Sequence, residues 1–119
     1  MLTTVSAALK HQVPVTTRGA GTGNYGQAMP LRGGIVLDMS GLDQIEHLDA
    51  ERGTVRAGAG TKLETLEEEA RKVGWELRQH PSTRRTAQIG GFVAGGSTGH
   101  GALLHGGLAE DGAVLGLRV

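Results

Sequence analysis

Apolar positions fall in short blocks between glycine-rich stretches, and their spacing switches from a helical period to a strand period and back. Leu2, Val5, Ala8 and Leu9 share one face of a helix over residues 2–10, which starts at Met1 without a cap, as the last turns of a longer helix would. The β-branched run 13–17 predicts a short buried strand. Residues 18–34 then hold glycines and Pro30 with no periodic apolar pattern, so they read as a long loop. Further strands are predicted at 34–38, 44–49 and 54–58, the last two forming a hairpin about the turn 49–53. Thr61 precedes a helix over 62–73, with Glu64 completing a capping box and Gly74 in the C′ position. Leu63, Leu66, Ala70 and Val73 line its apolar face, while Glu67, Glu68 and Glu69 read as solvated surface. After Trp75 and Leu77 the chain turns at His80, Pro81 and Ser82, crosses a second glycine-rich region over 90–107, and closes on 114–119 as a strand cut short. This order predicts an α+β fold, a mixed sheet with packed helices.

Composition narrows the function. The 119 residues bound the chain to one modest domain, and 21 glycines beside only Tyr25, Trp75 and Phe92 make backbone geometry unusually important. Twelve Lys and Arg balance twelve Asp and Glu, which argues against nucleic acid as a partner. Without cysteine there is no disulfide framework, thiolate metal site or cysteine nucleophile. No apolar run approaches the ~18 residues of a membrane span, and residues 1–10 lack the order of a signal peptide, so a soluble, cytoplasmic protein is expected.

Gly21-Thr22-Gly23-Asn24-Tyr25-Gly26 satisfies the GxGxxG pattern directly after a predicted strand. The classical dinucleotide fold needs those glycines to open a helix, and residues 27–34, with Pro30, cannot propagate one. What survives is a glycine-dense turn able to aim several backbone N–H groups at one diphosphate. A flexible linker is the alternative, against which stand the hydrogen-bonding groups of Arg18, Thr22, Asn24 and Tyr25. Arg18 serves equally as an anion contact or as a surface ion-pair partner. Residues 88–101 interleave apolar residues with glycines, either for tight helix packing or for close approach to a planar ligand and its phosphates. A branched side chain at Gly21 or Gly91 would block close approach and positive-φ geometry, whereas an exposed glycine such as Gly53 should tolerate one. His80, His100 and His105 fit neither an HExxH helix nor a facial triad, so no metal is expected, and His11 and His47 read as structural.

Taken in order, Pro14 to Gly23, Gly34 to Leu42, Val55 to Gly60 and Ile89-Gly90-Gly91 resemble the FAD-binding domain of the vanillyl-alcohol oxidase / p-cresol methylhydroxylase (PCMH-type) superfamily. The branch most similar is that of FAD-linked oxidases such as the glycolate oxidase FAD subunit and D-lactate dehydrogenases. The resemblance spans nearly the whole chain. It implies that Arg18, Gly19, Ala20, Gly21, Thr22, Gly23 and Asn24 bind the FAD pyrophosphate. Pro81, Ser82, Ile89, Gly90 and Gly91 would line the flavin side, with Gly96, Ser97, Gly99 and His100 adding contacts. Thr22 stands where members with a histidyl–FAD bond place the attaching His, so non-covalent FAD is implied. Residues 1–119 would be a partial FAD-binding domain, about 1–80 forming a first α/β subdomain and 81–119 opening a second, with the cap domain absent. The implied activity is a flavoprotein oxidoreductase taking a hydride from a small substrate, a 2-hydroxy acid, the isolated chain itself being inactive. Severed ends imply self-association as a homodimer. A non-catalytic nucleotide-binding module and a structural fragment remain the rival readings.

Overall fold

The computed structural model describes residues 1–108 and 112–118. Helix α1 (Leu2–Lys10) leads into β1 (Val15–Arg18), β2 (Ile35–Asp38), β3 (Ile45–Asp49), β4 (Thr54–Ala57), α2 (Leu63–Lys72), α3 (Ile89–Ala94) and α4 (Ala102–His105). The fold is α+β, with its parallel and antiparallel pairings in two separate two-stranded ladders. β1 and β2 are parallel, Val15 facing Ile35 and Arg18 facing Asp38. Parallel strands need a long crossover, usually a helix. Here the loop 19–34 makes it alone, so the end of β1 opens directly into glycine-rich backbone. β3 and β4 form the hairpin the alternation predicts, with an irregularity between Ile45 and His47. Asp49 Oδ1 accepts the N–H groups of Glu51 and Arg52 and closes its turn.

α1 ends in a Schellman arrangement, in which Val13 N–H reaches the Ala8 carbonyl at 2.8 Å and Gln12 N–H reaches Leu9 at 3.2 Å. Gln12 therefore sits at φ 55°, where glycine would be the usual choice. Only Ala8 of the apolar face is buried; Leu2 and Leu9 are exposed, contrary to the pattern. Gly74, at φ 84°, follows α2 as the sequence predicts.

The core is small. Leu63 and Leu66 of α2 pack with Ala87 and Phe92, and Ile45, Ala57, Leu77, Ile89 and Leu108 close around them. It therefore joins residues on both sides of position 80. Val73, assigned to the same face, is exposed, because the helix has already ended at Lys72.

α2 and the C-terminal end depart from the sequence pattern in three respects. No capping box forms: Lys62 is the N-cap, and Thr61 Oγ1 is buried without a hydrogen-bond partner among the described residues. The first-turn donors are satisfied from a distance, Leu63 N–H by the Ala87 carbonyl at 3.0 Å and Glu64 N–H by that of Arg84 at 3.2 Å. Glu67 is buried, not solvated, accepting from Arg71 Nε at 2.6 Å and from the Leu77 N–H at 2.8 Å. Residues 114–118 carry no strand; Val119 lies outside the described residues.

Candidate functional site

The parallel register sets Arg18 opposite Asp38 and delivers the glycine loop to that end of the sheet. Arg18, Gly19, Ala20, Gly21, Gly23 and Asn24, with Gly26, Ala28, Met29 and Asp38, line an open groove of about 610 Å3. The far side of the loop is held by its own bonds, Tyr25 N–H to Gln27 Oε1 and Met29 N–H to the Gly26 carbonyl. Its near side differs: no backbone N–H from Gly19 to Asn24 donates to another described residue. Gly21, at φ 67°, turns the chain within this run. Unpartnered amides around a left-handed glycine can converge on one anion, so these residues suit a diphosphate. Thr22 is half-buried and lies outside the groove lining.

One basic and one acidic side chain set the groove's charge. The Ser40 backbone N–H, 2.9 Å from Asp38 Oδ1, and then the Ser40 hydroxyl hold the Asp38 carboxyl below its ordinary range, with Arg18 adding a smaller pull. Asp38 is therefore ionised at neutral pH and Arg18 is the groove's cationic contact.

Beneath this wall lies Gln88, which sequence reasoning did not single out. It is buried, its Nε2 donates to Ser40 Oγ at 3.0 Å across 48 residues, and its Oε1 has no partner among the described residues. A Cβ on Gly19 would overlap that Oε1, so Gly19 lies directly on the Gln88 amide. Nothing in the local pattern around residue 88 announces such a contact.

Ile89, Gly90 and Gly91 follow in α3. Ile89 N–H donates to the Thr61 carbonyl at 2.9 Å and Gly90 N–H to that of Ala59 at 2.8 Å, so these donors already serve the protein. A Cβ on Gly90 would stand 2.7 Å from Ala59 Cβ, which makes Gly90 a packing glycine. Gly91 is different, having open space where a Cβ would be and no positive φ, so the positive-φ argument holds for Gly21 alone.

The remaining candidates gather elsewhere. His80 and His100 exchange backbone hydrogen bonds of 3.3 and 3.0 Å, and their rings stack with centroids 5.2 Å apart. Gly99 is pressed against the His80 carbonyl and Pro81, so its lack of a side chain is structural. Gly96 and Ser97 follow α3, with Ser97 N–H on the Phe92 carbonyl at 3.1 Å and Gly96 at φ 55°. None of Pro81, Ser82, Ile89, Gly90, Gly91, Gly96, Ser97, Gly99 or His100 lines the groove. Gln88 links the groove to α3, lying under Gly19 and directly preceding Ile89. Among the described residues no group of three or more His, Asp or Glu could hold a metal ion, and no helix is long and apolar enough to cross a membrane.

The model of a family described as FAD binding domain matches residues 1–119. The D-lactate dehydrogenase of Archaeoglobus fulgidus is 38% identical over 106 residues, 86% of this chain and 24% of that protein. The D-2-hydroxyglutarate dehydrogenase of Escherichia coli is 36% identical over 104 residues, 87% of this chain and 10% of that one. The chain thus spans a quarter or less of these relatives' length. An alkyldihydroxyacetonephosphate synthase structure superposes with a TM-score of 0.78 at 24% identity, covering 87% of this chain and 20% of its own, and shows the shared fold.

Proposed function

Since the chain belongs to the FAD binding domain family, we propose that the groove at the end of β1 holds the diphosphate of FAD, and that the whole protein oxidises a small 2-hydroxy acid. The observation that carries the reading is the run of unpartnered N–H groups from Gly19 to Asn24 along an open groove. These amides and Arg18 would bind the phosphate oxygens, each contact being charge-assisted. FAD, when bound, supplies the redox chemistry, accepting a hydride from the substrate. The residues described here bind and orient; proton transfer is left to the rest of the protein.

The residues present fit that group. Gly91 offers open space on the α3 side, where Ile89, Gly90, Pro81, Ser82, Gly96, Ser97, Gly99 and His100 would border the flavin half. FAD would be held non-covalently, since Thr22 is a poor nucleophile without an adjacent base and the chain has no cysteine. Two relatives carry D-lactate and D-2-hydroxyglutarate in their names, which supports a 2-hydroxy acid as substrate. Division near residue 80, a cytoplasmic location and pairing of two copies of this chain belong to the same proposal.

Titration of residues 1–119 with FAD, read by flavin fluorescence, tests the groove. Saturable binding weakened by Arg18→Ala is the expected result. Competition by inorganic diphosphate would place the contact on the phosphates, and wild-type affinity in both Arg18→Ala and Gly21→Val would overturn the reading. Bleaching of the oxidised flavin band by D-lactate or D-2-hydroxyglutarate in the whole protein tests the substrate class.

A further inference from the structure

We propose that Gln88 is the positioning residue of the groove, one side chain that sets both of its walls. The proposal takes the ligand's identity from the FAD reading and the strut itself from geometry. On one side the Gln88 Oε1 lies where a Gly19 side chain would be, so the first residue of the loop rests on the amide. On the other side Nε2 donates to Ser40 Oγ at 3.0 Å. Ser40 in turn holds Asp38 through its backbone N–H, 2.9 Å from Asp38 Oδ1, and Asp38 lines the same groove as the loop. Gln88 thus fixes the Ser40 side chain while the Ser40 backbone N–H holds Asp38, which makes Gln88 to Ser40 to Asp38 a continuous path.

Burial makes this strut stiff. Gln88 is 7% exposed, and the flanking backbone is anchored by the antiparallel bridge between Lys62 and Gln88 and by the Ile89 N–H bond to Thr61. A long exposed amide would swing; this one cannot do so without emptying a packed site. Oε1, buried and without a protein partner, adds an acceptor directly under the loop that is proposed to carry the diphosphate.

A double-mutant cycle on residues 1–119 with Gly19→Ala, Gln88→Ala and both together tests the strut. FAD affinity and the thermal midpoint without ligand are the readouts. Each single change should weaken FAD about tenfold, the effect of roughly one displaced hydrogen bond. Adding Gly19→Ala to Gln88→Ala should then cost little more, because the atom that the new methyl overlaps has gone. Carboxyl NMR of Asp38 gives a readout that packing alone would not move: its titration midpoint should rise in Gln88→Ala and stay put in Gly19→Ala. Independent, multiplying effects in the cycle, or an Asp38 midpoint unmoved by Gln88→Ala, would overturn the proposal. Wild-type chain that bound no FAD would sink the ligand reading, and the thermal cycle with the Asp38 titration would still decide the strut.

Discussion

The indole Nε1 of Trp75 donates to the Ala50 carbonyl oxygen at 2.8 Å, tying the segment after α2 to the turn of the β3–β4 hairpin. The same ring covers Gly53, whose Cβ would stand 3.0 Å from three indole carbons and whose φ is 61°. Gly53 is therefore not the tolerant position its turn suggests. Trp75→Phe should lower unfolding free energy by about 1 kcal/mol through the lost hydrogen bond. Gly53→Ala should cost at least as much, since it adds a left-handed strain of about 1 kcal/mol to the contact. Urea unfolding measures both, with Gly41→Ala as the control, because no atom lies within 4 Å of its Cβ.

Glu67 gives a pH dependence. Burial by itself would raise its carboxyl, but the Leu77 N–H and Arg71 outweigh that and bring the pKa below the ordinary 4.5. A lowered folded-state value means stability that is present above 4.5 and lost as pH falls through the lower folded value. Glu67→Gln should therefore destabilise the chain at neutral pH by about 1–3 kcal/mol, the range for a hydrogen-bonded charge. The gap between wild type and variant should close on acidification. A gap that stayed constant from pH 7 to pH 3 would show that the charge contributes nothing.

At the end of α1, Gln12 occupies a left-handed position with both Schellman hydrogen bonds in place. Gln12→Gly should raise the thermal midpoint, relieving about 1 kcal/mol of left-handed strain less the extra entropy of an unfolded glycine. Gln12→Val should lower it.

Elements set by nearby residues were legible in the sequence. The β3–β4 hairpin, the Gly74 stop and the long glycine loop each follow from alternation, handedness or loss of periodicity within a few positions. The absence of a helix after Gly26 follows for the same reason, Pro30 lying close by. Long-range partners were not legible. Thr61 and Glu64 have the spacing of a capping box, yet the Glu64 N–H that Thr61 would serve goes to the Arg84 carbonyl, twenty residues away in sequence, and the Thr61 N–H that Glu64 would serve goes to that of Gly58. The run 67–69 is acidic throughout, and only the later segment at Leu77 decides that Glu67 turns inward. Of the candidate site, the groove from Arg18 to Asn24 was readable as a cluster, whereas Asp38 and Gln88 enter it only through strand pairing and tertiary contact.

Flavin should leave the protein on denaturation. Thr22 offers no imidazole or thiol for attachment, and the chain holds no cysteine. Acid precipitation of the FAD-loaded chain should put the yellow chromophore in the supernatant. Colour retained in a washed pellet would require a covalent bond, with one of the five histidines the first place to look.

Gly21→Val and Gly91→Val separate two ways in which a glycine serves a binding site. At Gly21 the φ of 67° is forbidden ground for a branched residue, so the substitution should disturb the loop itself and reduce both thermal midpoint and FAD affinity. Gly91 has a helical setting in α3 and nothing within 4 Å of its Cβ, so the protein alone gives no reason for it to be glycine. Valine there should leave the midpoint unchanged or raise it by the few tenths of a kcal/mol that separate the two residues' helix propensities. If a flavin lies against α3, the same variant should nonetheless lose FAD binding by about tenfold or more, through displacement of a close contact. Gly90→Ala provides the contrast, because its methyl would meet Ala59 and should cost stability whether or not ligand is present. Loss of affinity without loss of stability at Gly91 would mark that face as part of the flavin site. Full affinity in Gly91→Val, with the groove variants still impaired, would confine the ligand to the loop at β1.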